Sequence, residues 1–153
     1  MRSCFELSNG VQMPKIGFGT YKSTDGSDEC VISQALEAGY RLLDMAAAYK
    51  NEEQVGKAIT RSGISRKEIF LTSKVWKTDL GYENTKKSFQ ESLERLQTDY
   101  LDLFLLHWPK PDPEFADWKE LDRESWRALE ELYKEGKVRA IGVSNFLPHH
   151  LEN

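Results

Sequence analysis

Apolar residues along the chain gather into short runs rich in β-forming residues, at Ile16–Thr20, Leu42–Met45, Phe70–Val75, Leu101–His107 and Arg139–Asn145. Each interval between them carries a helical period instead, predicting helices over about residues 28–38, 51–62, 82–97 and 122–135. Gly39, Gly63 and Gly136 stand where the first, second and fourth of these should stop, and Asn51-Glu52-Glu53 offers the second a cap and early negative charge. Phe89, Leu93 and Leu96 form a stripe on the third helix, as do Trp126, Leu129 and Tyr133 on the fourth, so each has a face suited to one side of a sheet. Ahead of the first run, Phe5–Met13 reads as a small hairpin turning at Asn9-Gly10 in a type I′ turn.

Strands alternating with helices imply parallel strands joined by right-handed crossovers, with helices covering the sheet. A complete (β/α)8 barrel of roughly 250 residues devotes about 31 to each unit, so a chain of 153 residues has room for about five, matching the five runs. The expected fold is therefore α/β, of the (β/α)8 TIM-barrel class, with only about the first five βα units present. Residues 1–153 are read as a single domain, with 1–14 as an N-terminal hairpin cap. Five parallel strands leave two edges without partners and an interior face incompletely covered, which reads as a truncation.

A hydrophobic content of 39% supplies a core, and 30% charged residues favour solubility. The net charge of -4 argues against a nucleic-acid surface, because phosphate neutralisation needs a basic patch and Lys86-Lys87 is only a doublet within a helix. Cys4 and Cys30 form neither a CxxC nor a Cys/His ligand spacing, so no metal site and no disulfide framework is expected. No segment approaches the roughly 18 apolar residues needed to span a bilayer, and the N-terminus lacks the apolar run of a secretory signal. A cytoplasmic location is the expectation.

Polar residues are few within the runs and cluster at their carboxyl ends: Asp44, Lys74, His107 and Ser144-Asn145. Active sites of βα-barrels form at that rim. Taken singly, each residue has a plainer explanation: Asp44 as a turn cap, Lys74 as a snorkelling strand end, His107 as a satisfied buried imidazole, and Tyr49 as a plug at the core edge. An acid, a lysine and a histidine at the same end of three consecutive strands point instead to a shared chemistry. A nearby ammonium such as Lys74 would favour the phenolate of Tyr49 and ease proton donation, Asp44 would hold that ammonium in place, and His107 would orient a substrate oxygen. Gly17-Phe18-Gly19-Thr20 is not a dinucleotide fingerprint, since the third glycine and its spacing are missing. The Pro-rich stretch Trp108–Phe115 reads as a loop on the same rim.

With those residues in place, the sequence resembles the aldo-keto reductase family. Leu43-Asp44-Met45-Ala46-Ala47-Ala48-Tyr49-Lys50-Asn51-Glu52, continued by Val55-Gly56-Lys57-Ala58-Ile59, is similar to its Asp/Tyr signature; Leu71–Trp76 to its lysine strand; Asp99–Pro109 to its histidine strand; and Gly136–Phe146 to its fifth-strand signature. The resemblance spans nearly the whole chain. It implies an NAD(P)H-dependent oxidoreductase reducing aldehydes or ketones to alcohols. Tyr49 would be the proton donor, Lys74 the residue lowering its pKa, Asp44 the partner of Lys74, and His107 the group orienting the carbonyl.

By the same resemblance, Gly19, Thr20, Tyr21, Asp44, Ser144 and Asn145 would contact the cofactor, expected to be NADPH with NADH also allowed. Tyr21, Trp76, His107 and Trp108 would line the substrate pocket. The implied partner is a small aldehyde or ketone, with neither nucleic acid nor membrane, and the full-length form would be a monomer. Met45 departs from the family's common Thr, and the family's later strands, with their aromatic platform and phosphate-gripping basic residues, do not follow Phe146. Two alternatives follow: a non-catalytic half-barrel that self-assembles or complements another chain, and a cofactor-sensing subunit of the same fold.

Overall fold

The short strands form an antiparallel two-stranded hairpin followed by one five-stranded parallel sheet. The computed structural model of the protein describes residues 3–24, 29–109 and 116–152. The strands are β1 (Cys4–Glu6), β2 (Gln12–Pro14), β3 (Phe18–Gly19), β4 (Leu42–Asp44), β5 (Phe70–Val75), β6 (Leu103–Leu106) and β7 (Ile141–Val143), and the helices are α1 (Cys30–Glu37), α2 (Glu52–Ser62), α3 (Tyr82–Leu96), α4 (Trp118–Lys134) and α5 (Pro148–Leu151). β3 to β7 pair in chain order, every pair parallel, as expected for the first five units of a (β/α)8 barrel. Helices α1 to α4 pack side by side, each on the next.

Pairing register fixes which residues share a face, because successive strand side chains point to opposite sides. Leu43 pairs with Leu71, Ser73 with Phe104 and Val75 with Leu106, and all five apolar members of that set are buried. This is the face beneath the helices, where Phe104 meets Phe89 of α3 edge-on with ring centroids 5.1 Å apart. The opposite, inner face carries Gly19, Asp44, Thr72, Lys74, Leu105 and Gly142.

Gly56 lets α2 approach α3 closely. A Cβ there would lie 2.7 Å from the Arg95 carbonyl oxygen and 2.8 Å from that of Leu96, both backbone atoms that cannot swing aside. At the amino ends of the strands, Asp102 is 1% exposed yet charged. Its carboxylate receives Arg66 at 2.8 Å, Arg139 at 2.7 Å and the Leu71 backbone N–H at 2.9 Å. Arg66 is itself fixed by Thr98, by the Ile69 and Tyr100 carbonyls, and by stacking 3.9 Å over the Tyr100 ring. The same rim receives the hairpin, where Asn9 Nδ2 donates to the Arg139 carbonyl at 2.8 Å.

Several local expectations are corrected. The hairpin turn is not type I′: of Asn9 and Gly10 only Gly10 has positive φ, at 84°. The Leu7 carbonyl accepts from Gly10 N–H and Leu7 N–H donates to Val11, the signature of a type I turn closed by a left-handed glycine. Asn51 does not cap α2 through its side chain. The buried stripe of α4 is Asp122, Ser125, Ala128, Leu129 and Leu132; Trp126 is partly buried and Tyr133 is 42% exposed. That helix begins at Trp118 rather than near 122. Within the loop expected at Trp108–Phe115, residues 110–115 lie outside the described ones, as does the start expected for α1 at residue 28.

Candidate active site

Every sequence-predicted site residue except Tyr49 sits at or just past the carboxyl end of its strand on the inner-face parity, or beside such a residue. Gly19 pairs with Asp44, Asp44 with Thr72, and Lys74 lies two positions further along β5 on the same face. Lys74 pairs with Leu105 and Leu105 with Gly142, so His107 and Ser144, two positions beyond, continue that face from β6 and β7. Tyr49 enters from the side: it closes a short 3-10 turn, Ala47–Tyr49, ended by Lys50 in the left-handed region at φ 55°.

These positions bring the four groups together. Lys74 Nζ donates to Asp44 Oδ1 at 2.7 Å and to the Met45 carbonyl at 2.8 Å, and it lies 5.3 Å from the centre of the Tyr49 ring. Lys74 is almost wholly buried and Asp44 half-open, so the buried amine meets its partner carboxylate at the edge of the pocket. Met45 is fully buried and contributes its carbonyl, so the departure from Thr leaves the charged pair intact. The Tyr49 ring meets His107 at 5.7 Å and Tyr21 at 5.0 Å, and His107 meets Trp76 at 5.1 Å, giving a continuous aromatic wall. Trp108, 44% exposed, makes no ring contact with that wall among the described residues.

Burial pushes the Tyr49 phenol above its ordinary value of 10, and the carboxylate of Asp44 and the neighbouring Tyr21 push the same way. The expected lowering by Lys74 is not found. Its ammonium is held against Asp44, and from the phenol the field of the carboxylate outweighs it. His107 is held below 6.5 by burial first and by the Lys74 charge second, with Asp44 opposing. It is therefore neutral at pH 7, and its Nδ1 is buried without a hydrogen-bond partner among the described residues. Because the fold disfavours imidazolium, stability contributed by neutral His107 is complete above pH 6.5 and declines as pH falls through the depressed folded value. A histidine titration followed by NMR is expected to place the His107 midpoint below 6.5; a midpoint above it would contradict this account of the site.

Ser144 and Asn145 hold the far side. Asn145 has φ 61°, and its Nδ2 donates to the His107 carbonyl at 2.8 Å and to Ser144 Oγ at 3.0 Å. Thr20, expected among the cofactor contacts, is instead fully buried and presents no surface to a ligand. Its N–H and hydroxyl both donate to the Asp44 carbonyl, and its own carbonyl accepts from Asn51 Nδ2 at 2.6 Å, so it braces β4. Asn51 and the buried Glu52 stand in the sequence both as helix-start residues and as the end of the Asp/Tyr signature, with no site role assigned to either. Their place in that signature, two and three residues after Tyr49, is the sequence signal of a larger part.

A profile of the Aldo/keto reductase family matches residues 15–153. The chain belongs to the aldo/keto reductase family. It is 52% identical over 153 residues to the glyoxal reductase of Bacillus subtilis, covering 99% of this chain and 52% of that protein. It is 42% identical over 147 residues to the methylglyoxal reductase DkgA of Escherichia coli, covering 96% and 50%. Among solved structures, an aldo/keto reductase from Brucella melitensis superposes with a TM-score of 0.91 at 47% identity, covering 99% of this chain and 57% of that one. This aldo/keto reductase chain thus spans about half the length of the curated relatives it matches. No helix among its described residues is long and apolar enough to cross a membrane.

Proposed function

We propose that the protein reduces small aldehydes or ketones, 2-oxoaldehydes such as glyoxal and methylglyoxal first among them, using NADPH and with Tyr49 as proton donor. The observation that carries this reading is the convergence of Tyr49, Lys74, Asp44 and His107 on one rim of the sheet, with Lys74 bound to Asp44 at 2.7 Å. The residues present suit a nicotinamide: Ser144 Oγ and the Asn145 amide, at the edge of that rim, offer a donor and an acceptor complementary to a carboxamide. Gly19, Tyr21 and Asp44 would lie along the same ligand. Reduced nicotinamide, when bound, supplies the hydride, which no side chain can.

The chain's own residues do the rest. The neutral imidazole of His107 donates a hydrogen bond to the carbonyl oxygen and sets its angle. Tyr49, kept protonated at neutral pH by its raised pKa, gives its proton to the developing alkoxide, a far stronger base than a phenolate. Lys74, 5.3 Å from the Tyr49 ring centre, is the positive charge that would face the phenolate left behind, and Asp44 fixes that ammonium in place. Tyr21 and Trp76, in ring contact with Tyr49 and His107, would line the substrate pocket, and Trp108, exposed at the same rim, would join them once substrate is bound. We place the protein in the cytoplasm and expect the whole protein to act as a monomer.

The test is turnover of glyoxal and methylglyoxal by the whole protein with NADPH, followed by loss of the reduced-nicotinamide absorbance, against NADH as comparison. Turnover that needs NADPH supports the reading. Absence of turnover with either nucleotide across a panel of aldehydes and ketones defeats it. A second reading, self-assembly of the chain, is favoured by Leu103 and Leu105, half-exposed on the inner face, and by the outer edges of β3 and β7, which have no partner strand among the described residues. Sedimentation showing a monomer would remove it.

A further inference from the structure

Glu52 is 1% exposed and takes no part in the chemistry just described, yet it is satisfied by three donors from two other elements. Its Oε1 accepts from Ser73 Oγ of β5 at 2.5 Å, and its Oε2 accepts from Arg95 Nε at 2.8 Å and Ser92 Oγ at 3.2 Å, both on α3. Burying a carboxylate is costly and persists only when such bonds repay it. Its place in the chain is informative. Glu52 follows Tyr49 by three residues, and Ser73 immediately precedes Lys74. Strand alternation turns Ser73 to the helix side and Lys74 to the inner face, so a grip on Ser73 from behind sets the height and rotation of the residue that carries the ammonium.

Asn51 extends the grip to the other side. Its Nδ2 donates to the Thr20 carbonyl at 2.6 Å, and Thr20 in turn donates to the Asp44 carbonyl at 2.9 Å through its backbone. The consecutive pair Asn51-Glu52 therefore ties the turn bearing Tyr49 to the strand ends bearing Asp44 and Lys74. We propose that Glu52, gripping Ser73, is a positioning residue that holds Lys74 and Tyr49 in register across β5 and the Tyr49 turn, with Asn51 doing the same for Asp44. This rests on the function proposed above. Its consequence is kinetic: loosening the grip separates phenol from ammonium without touching the substrate walls, so kcat falls while KM for the carbonyl changes little.

The experiment compares Ser73→Ala, Glu52→Gln and Arg139→Ala in the whole protein, with Tyr49→Phe as a reference for lost chemistry. Ser73→Ala removes one hydrogen bond and leaves Glu52 held by α3, so the variant folds. Its kcat is expected to fall about 10-fold to 100-fold with KM and NADPH affinity within about threefold of wild type. The basic limb of its kcat–pH profile should also move. Glu52→Gln, which keeps an acceptor for Ser73, should lose less than Ser73→Ala. Arg139→Ala lowers stability from the opposite rim and should leave kcat unchanged.

If Ser73→Ala loses thermal stability but keeps wild-type kcat and pH profile, or if Arg139→Ala lowers kcat as much, the positioning role is overturned and Glu52 is a structural anchor only. If wild type itself shows no carbonyl turnover, or Tyr49→Phe retains it, the proposed function has failed instead. The two failures are thus read from different proteins.

Discussion

Tyr49→Phe is expected to lower kcat for carbonyl reduction by about a hundredfold to ten-thousandfold, the usual contribution of a positioned proton donor. The change is narrow. The ring and its contacts with Tyr21 and His107 remain, and so does its distance from Lys74, because only the hydroxyl is removed. NADPH affinity, measured by quenching of protein fluorescence, should stay within about threefold, since the cofactor contacts proposed lie on other residues. Turnover within a few-fold of wild type would mean that the proton reaches the alkoxide from elsewhere, and the assignment of the phenol would be lost.

A second large effect is expected at the other end of the strands. Asp102→Ala strips the counter-charge from Arg66 and Arg139 and leaves the buried Leu71 N–H without an acceptor. Breaking a buried pair by removing one partner costs about 3–5 kcal/mol, and the lower end applies because Arg139 is half-exposed and re-solvates. For a domain of this size about 3 kcal/mol corresponds to a fall in Tm of roughly 10 °C. Calorimetry checks it, and Asp102→Asn should recover part of the loss because an amide oxygen can still accept from Leu71. A Tm within about 2 °C of wild type would show that water replaces the carboxylate freely and that this rim is not sealed.

What could be read in advance, and what could not, divides along physical lines. Strand positions and the ends of α1, α2 and α4 were legible because apolar runs and left-handed glycines are local signals; Gly39, Gly63 and Gly136 all have positive φ. The site rim was legible for the same reason, since parity along strands of known direction places Asp44, Lys74, His107 and Ser144 together. Glu52 and Asp102 were not. Charged residues read as exposed by default, and the partners that bury these two lie 21 to 43 positions away for Glu52 and up to 37 for Asp102.

The phase of α4 was misread because Trp126 and Tyr133 drew the stripe towards themselves. The face that packs sets small residues beside Leu129 and Leu132: Ala128 is fully buried, and Ser125 accepts from the Gly81 backbone N–H at 2.7 Å. The apolar runs also overstated the strands. Ile16 belongs to the first run but is 72% exposed at an edge, and β3 is only two residues long. The direction of the Tyr49 shift was beyond sequence altogether, since it depends on how completely Asp44 engages Lys74.

Asn9 and Arg139 stand 130 positions apart, and the bond between them fastens the hairpin to the connection that leads into β7. The hairpin itself can turn locally, but its bond to Arg139 forms only when a loop of 130 positions has closed. Closing so long a loop is entropically unfavourable and yields its reward late. In refolding, the docking of this hairpin on the rim is therefore expected to come late, after the local strand–helix units have formed.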